Sequence, residues 1–200
     1  MIENKVDKIR CAWSNADPLL TKYHDEEWGD IRHDDKVHYE YLIMEVMQCG
    51  LSWSLMLKKR DIFRKCFANF DFNKVALFTE DDIKSILKTK GMIKSYPKIT
   101  AVINNTKVFL DIRKEYGSFD KYIWSFTGNK IIIFKSKQRI TESKYSEYLS
   151  KDLRKKGCKF LGPTVLHSHL QAVGIIFSHH PNCWKYKKFF DNKPKNTLYV

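Results

Sequence analysis

Four residues drawn from both ends of the chain have the chemistry of a metal site. Cys11 and His24 stand near the start, and His179 and Cys183 are spaced H-x3-C late in the sequence. Two thiolates and two imidazoles form a neutral, closed tetrahedral set for Zn²⁺, the composition of structural rather than catalytic zinc. The spacing is looser than a paired C-x-x-C pattern, so buried cysteines with surface histidines are the plainer reading of these letters alone. A metal held there would clip the two chain ends together and close a very long loop. Cys49, Cys66 and Cys158 sit in apolar helical surroundings and read as core residues.

A second group is one carboxylate among aromatic rings. Trp13, Tyr23, Trp28 and Trp53 flank Glu45, which falls on an apolar helical face with Val37, Tyr41 and Met44. Aromatic walls around one buried acid suit a flat, electron-poor, hydrogen-bonding ring. The competing reading puts the aromatics in the core and Glu45 in solvent. It is weakened because Glu45 shares a face with Tyr41 and follows Met44.

A third group is Leu87 to Ser95, a turn between two helical patterns with Gly91 at its centre and Lys88, Lys90, Lys94 and Lys98 crowded around it. A glycine turn lets backbone N–H groups and a following helix N-terminus come close to a phosphate. An ordinary helical connection with solvated lysines accounts for the same residues.

The elements that must position these groups are mostly helical. Helices are predicted from Lys36 to a close at Gly50, and over Ser52–Phe67 with Leu55, Ile62 and Phe63 inward. Thr79 with Asp82 is a capping-box variant opening a helix through Leu87, and a long helix runs from Ser95 to about Glu115. Shorter helices follow over Phe119–Phe126, over Ser143–Lys156 as a charged surface helix, and over Pro163–Val173 as the last one. Gly128–Arg139 reads as a basic loop in which Ile131, Ile132 and Ile133 can form a brief strand. The expected fold is all-α, with two helical lobes and a cleft between them.

Composition bounds the function classes. At 200 residues, with 43% hydrophobic and 14% aromatic residues, the chain is globular rather than disordered. The net charge of +13 favours polyanionic partners, nucleic acid foremost. No stretch approaches the ~20 apolar residues of a membrane span, and residues 1–10 are too charged for a secretory signal. Five scattered cysteines suggest no disulfide framework, so a cytoplasmic protein with reduced thiols is expected.

These features occur together in a recognisable order. RCAW (10–13), DPLLTKYHDEEWG (17–29), QCGLSW (48–53), LKKR (57–60), WSF (124–126), KFLGPT (159–164) and QAVG (171–174) together resemble the 3-methyladenine DNA glycosylase I family, over nearly the whole chain. The resemblance implies a helix-hairpin-helix DNA glycosylase fold in one domain spanning 1–200, with residues 1–10 as a flexible extension and a zinc snap joining the termini. It implies Cys11, His24, His179 and Cys183 as ligands of one structural Zn²⁺. Glu45 is then the catalytic residue that contacts an extruded base, Tyr23 and Trp53 stack on that base, and Trp13 and Trp28 line its pocket. Gly91, Lys90 and Lys94 are the expected DNA contacts. The partner is double-stranded DNA carrying alkylated bases, the product 3-methyladenine, and the protein a monomer that meets the nucleoid through DNA. No catalytic aspartate is expected. Leu20, His167 and His169 depart from the aromatic residues the family leads one to expect, and His180 beside His179 is an alternative ligand.

The implied reaction begins by flipping the nucleotide out of the stack, at a cost of a few kcal/mol. N3-methylation already makes the purine a cationic leaving group, so little general-acid help is needed. Two rival readings are a noncatalytic nucleic-acid-binding module on the same scaffold and a zinc hydrolase. The second conflicts with a site that four protein ligands would close.

Overall fold

A computed structural model describes residues 8–135 and 139–200. Most of the expected N-terminal extension (1–7) and residues 136–138 of the basic loop lie outside it. Residues 8–10 are tied down: Trp184 N donates to Ile9 O at 2.8 Å, and Arg10 forks onto the Asp25 carboxylate.

Helix boundaries follow local capping chemistry. Helix α1 (Pro18–Glu26) starts on Asp17, whose side chain accepts from Leu19 N, with Pro18 in the first turn where no N–H is needed. Helix α2 (Asp35–Gln48) starts on Asp34, and α3 (Trp53–Cys66) on Ser52, which accepts from Leu55 N. A short α4 (Phe72–Val75) follows. In α5 (Glu80–Lys88), Asp82 turns back to accept from the Thr79 backbone N–H at 2.7 Å. Then come α6 (Tyr96–Tyr116), α7 (Phe119–Ser125), α8 (Lys144–Lys155), α9 (Pro163–Ala172) and α10 (Trp184–Asp191).

Helix α2 is the hub. Tyr39, Tyr41, Ile43, Met44, Val46 and Met47 are all buried, around several of its faces, because α3, α6, α7 and α9 pack against it. Its C-terminus is capped by Lys98 of α6, whose Nζ donates to Met47 O at 2.8 Å and Cys49 O at 2.6 Å. Lys98 is therefore committed to a helix end rather than free beside Gly91.

Several sequence expectations need correction. Pro163–Val173 does not hold the last helix, since α10 follows. Helix α1 was also missed. The α8 helix is charged on one face only; Tyr145, Leu149 and Leu153 of the other are buried. Of the inward set proposed for α3, Phe63 is buried, Leu55 and Ile62 only half-buried, and Met56 is the fully buried residue that was overlooked. Cys49 is half-buried just past the end of α2, and Cys158 is buried in the loop after Gly157 rather than on a helix. Ile131–Ile133 does form a strand, β1, and it is the centre of a small parallel sheet with β2 (Ile176–Phe177) and β3 (Thr197–Tyr199) on its two sides.

Candidate functional site

A cleft of about 440 Å³ opens between two walls. One wall comes from α1, α2, α3 and the turns beside α1; it carries Trp13, Tyr23, Trp28, Glu45 and Trp53. The other is α9, which presents Thr164, His167, Ser168 and Gln171. The five residues expected at the base pocket are thus brought together. Tyr23 and Trp53 rings lie 5.4 Å apart, and Trp13 meets Trp28 edge-on at 5.0 Å.

Glu45 is 3% exposed, and among the described residues no group hydrogen-bonds its carboxyl. Burial alone pushes it up to about 8. Beside it the Tyr23 hydroxyl is raised above its ordinary range, by burial first and then by the neighbouring Tyr41 and Glu45. Trp53 Nε1 is buried and also without a partner. An unmatched, buried carboxyl therefore faces a cleft with aromatic walls. Such groups are costly to leave unpaired, so the site is built for a flat ligand with a hydrogen-bonding edge.

The structure shows why this wall holds its shape. Asp17, besides capping α1, accepts from Ser54 Oγ at 2.7 Å and pairs with Lys58, which pins α1 to α3. Behind Tyr23, Tyr41 donates to Glu27, and Arg60 bridges Glu27 and Glu40. The motifs DPLLTKYHDEEWG and LKKR supply Asp17, Tyr23, Glu27, Lys58 and Arg60, while Glu40, Tyr41 and Ser54 lie outside them, and nothing in the spacing announces the pairing.

Sequence reasoning missed most of the opposite wall. Gln171 Nε2 donates to Ser178 Oγ at 2.8 Å and to His167 Nε2 at 3.3 Å, and His167 Nδ1 faces Ser143 Oγ at 3.2 Å. The i, i+4 spacing of His167 and Gln171 was the available signal. Of the residues that depart from the family pattern, Leu20 and His167 line the cleft. His169 points away, buried against His38 at 3.2 Å.

Cys11, His24, His179 and Cys183 also come together, all buried, with their ligand atoms within 4.8 Å of one another. Cys183 Sγ lies 3.4 Å from His24 Nε2 and 3.7 Å from His179 Nδ1, and Cys11 Sγ lies 3.7 Å from His179 Nδ1. A tetrahedral zinc with ordinary bond lengths separates S and N ligands by ~3.6 Å, so the donor set fits. The outer ring atoms are held too: His24 Nδ1 faces Asp25 Oδ1 at 2.9 Å, and His179 bonds the backbone at Trp28. Gly29 is required beside it, since it has φ +77° and a Cβ there would come within 2.5 Å of His179 Nε2. Burial raises the Cys11 thiol to about 11 and lowers His179 to about 3. His180 is exposed and is not part of the cluster.

The turn between α5 and α6 places Lys90 and Lys94 at the surface. Gly91 has φ +83°, and a Cβ there would meet Ile62 Cδ1 at 2.8 Å, so both conformation and contact with α3 demand glycine. Its carbonyl accepts from Lys59 Nζ, a cation from α3 that the sequence pattern did not connect with this turn.

Comparison with known proteins agrees with this geometry. The family described as Methyladenine glycosylase matches residues 13–186. The chain is 37% identical to DNA-3-methyladenine glycosylase 1 of Escherichia coli (strain K12) over 188 residues, covering 92% of this chain and 99% of the relative. A structure concerned with 3-methyladenine recognition by the Staphylococcus aureus glycosylase I superposes with a TM-score of 0.84 at 34% identity, covering 88% of this chain and 96% of that one. A crystal structure of a glycosylase I variant in complex with 3-methyladenine gives 0.84 at 33% identity, covering 94% of this chain and 98% of that one.

Proposed function

The chain belongs to the methyladenine glycosylase family, and from that premise we propose that it excises 3-methyladenine from alkylated DNA by hydrolysing the N-glycosidic bond, the opening step of base excision repair. The observation that carries the reading is Glu45: a buried carboxyl with no hydrogen-bond partner among the described residues, enclosed by aromatic rings.

The lesion is a cationic purine still attached to its sugar. Flipped into the cleft, its ring presents positive charge to the faces of Tyr23 and Trp53, which favours it over a neutral base. Its hydrogen-bonding edge supplies the donor that Glu45 lacks. A cation there also favours the ionised carboxyl, reversing the effect of burial. The C1′–N9 bond then breaks with its electron pair moving to the base, which leaves neutral. Water adds to C1′ and loses a proton to solvent. No residue is assigned to activate that water.

The cluster of Cys11, His24, His179 and Cys183 is read as a structural Zn²⁺ site, on the chemistry and spacing of its donors. When bound, the metal cross-links the start of the chain to the segment before α10. Four protein ligands leave no open position, which argues against a zinc hydrolase. Gly91, Lys90 and Lys94 are read as the grip on the phosphates of double-stranded DNA, with the protein acting as a monomer.

The test is to incubate the protein with methylated DNA and identify the released bases by chromatography. Release of 3-methyladenine by the wild type, much slowed in Glu45→Gln, is the expected outcome. A wild type that binds DNA and releases no base would instead mark a noncatalytic binding module.

A further inference from the structure

A second, larger hollow of about 900 Å³ adjoins the cleft. Trp13, Arg139, His167 and Gln171 line both, so the two form one continuous trough. Part of its far wall lies beyond the region the family model matches, which stops at residue 186: Phe190 comes from α10 and Tyr199 from β3. Strand β3 reaches this place by adding to the edge of β1, with Ile133 opposite Tyr199, and Lys135 N donating to Val200 O at 2.9 Å. That pairing sets Tyr199 beside the chain that supplies Phe134 and Lys135.

The lining has a consistent chemistry. Phe134, Tyr186, Phe190 and Tyr199 give aromatic faces, while Lys135 and Arg139 are exposed cations. Among the described residues no carboxylate lines it. The exposed Tyr199 ring is held by Lys193, whose Nζ lies over one face at 4.4 Å from the ring centroid and donates to the hydroxyl at 2.9 Å. Cations interleaved with aromatic faces along an open groove, free of acidic groups, suit unpaired nucleotides: phosphates take the cations and bases stack on the rings. A nucleotide delivered to the cleft remains tied to its neighbours, so its strand must leave the cleft along some path. The trough is an open path with matching charge.

We propose that this trough holds a short unpaired stretch of the damaged strand next to the extruded base, with Lys135 and Arg139 on its phosphates and Tyr199 as a stacking platform. The proposal rests on the reading of the cleft as the base pocket. It makes the residues after α10 a second DNA-contact element, one that favours single-stranded DNA, whereas the Gly91 turn faces duplex.

Lys135→Glu and Tyr199→Ala, neither of which lines the base pocket, test this by titration of labelled single-stranded oligonucleotides at several salt concentrations. Tyr199→Ala is expected to weaken single-strand binding roughly five-fold or more. Lys135→Glu is expected to weaken it and to flatten the salt slope by about 0.7. In both variants, quenching of tryptophan fluorescence by free 3-methyladenine should match the wild type, which shows that fold and pocket are intact. Single-strand affinity and salt slope equal to the wild type in both variants would overturn the proposal. So would loss of free-base binding with single-strand binding retained, because the trough would then serve the base alone. A wild type that neither binds free 3-methyladenine nor releases it from methylated DNA would overturn the reading of the cleft, a result distinct from the strand titration.

Discussion

The aromatic cleft and the cluster of Cys11, His24, His179 and Cys183 are neighbouring groups of buried polar atoms that share two aromatic rings. Trp13 and Trp28 line the cleft on one side and pack on the cluster histidines on the other, with ring centroids 5.5 Å apart for Trp13 and His24 and 4.7 Å apart for Trp28 and His179. In the cluster the sulfur and nitrogen atoms face one another, and the outer nitrogens meet Asp25 and the Trp28 backbone. In the cleft, the Glu45 carboxyl has no hydrogen-bond partner among the described residues. Buried polar groups that satisfy one another hold a fold together; those left unmatched in an open cavity await a ligand. Breaking the first should damage the fold, and breaking the second should spare it.

The sharpest break is at the cluster. Structural zinc contributes ~10–16 kcal/mol to small zinc-dependent domains, which is comparable to the whole stability of a typical domain, ~5–15 kcal/mol. Cys183→Ser should lower the melting temperature far more than Cys66→Ser, and chelation of the wild type should have a similar effect. Elemental analysis should find about one zinc per chain. Equal melting temperatures for the two serine variants would remove the structural contrast.

Glu45→Gln should do the reverse. Loss of one charged hydrogen bond in the transition state, ~1.5–3 kcal/mol, lowers excision by roughly one to two powers of ten, while folding and nonspecific DNA binding persist. The pH dependence sharpens this. The folded carboxyl sits at about 8 against an ordinary 4.5, so the folded state holds its proton more tightly than the unfolded chain. Its stabilising contribution is fully present below about 4.5 and is lost as pH rises through about 8. The melting temperature of Glu45→Gln should therefore gain on the wild type as pH rises across that window. Likewise kcat/KM of the wild type should climb toward pH about 8 along a limb that the variant lacks. Parallel stability curves would show that Glu45 is not desolvated as its burial implies.

A smaller effect is expected outside both sites. Lys94→Glu at the Gly91 turn should weaken binding to all duplexes alike and reduce the salt slope by about 0.9, one phosphate contact. An unchanged slope would return this turn to an ordinary connection. The smallest effect belongs to Trp53→Phe, which keeps an aromatic face of smaller area. Affinity for free 3-methyladenine should fall by a few-fold through lost stacking, ~0.5–1.5 kcal/mol. An unchanged affinity would show that the Trp53 ring does not stack on the base.

What the chain determined locally was legible in its letters. Ser52 and the Thr79–Asp82 pair begin α3 and α5 where their side chains can reach backbone N–H groups one turn away. Capping and 3.6-residue periodicity are short-range effects and need no knowledge of the rest of the molecule. The ligand types at 11, 24, 179 and 183 and the acid on the apolar face of α2 were visible for the same reason: each is a property of a residue and its near neighbours. Their meeting in space was implied by resemblance to a family, not by spacing. Other features had no local signal at all. Lys98 and Lys94 look alike in sequence, yet one caps α2 and the other is exposed, because only the packing of α6 on α2 decides which ammonium meets a carbonyl. His167 and His169 are two residues apart; the position of α9 between the cleft and His38 sends one to each side. The Ile131–Ile133 run suggested a strand, but β2 and β3 are too short to register as a pattern, and the pairing of Ile133 with Phe177 and Tyr199 joins segments more than 40 residues apart. Burial is likewise a property of the assembly. The sequence placed Glu45 on a face, but the walls that exclude water from it belong to the tertiary structure.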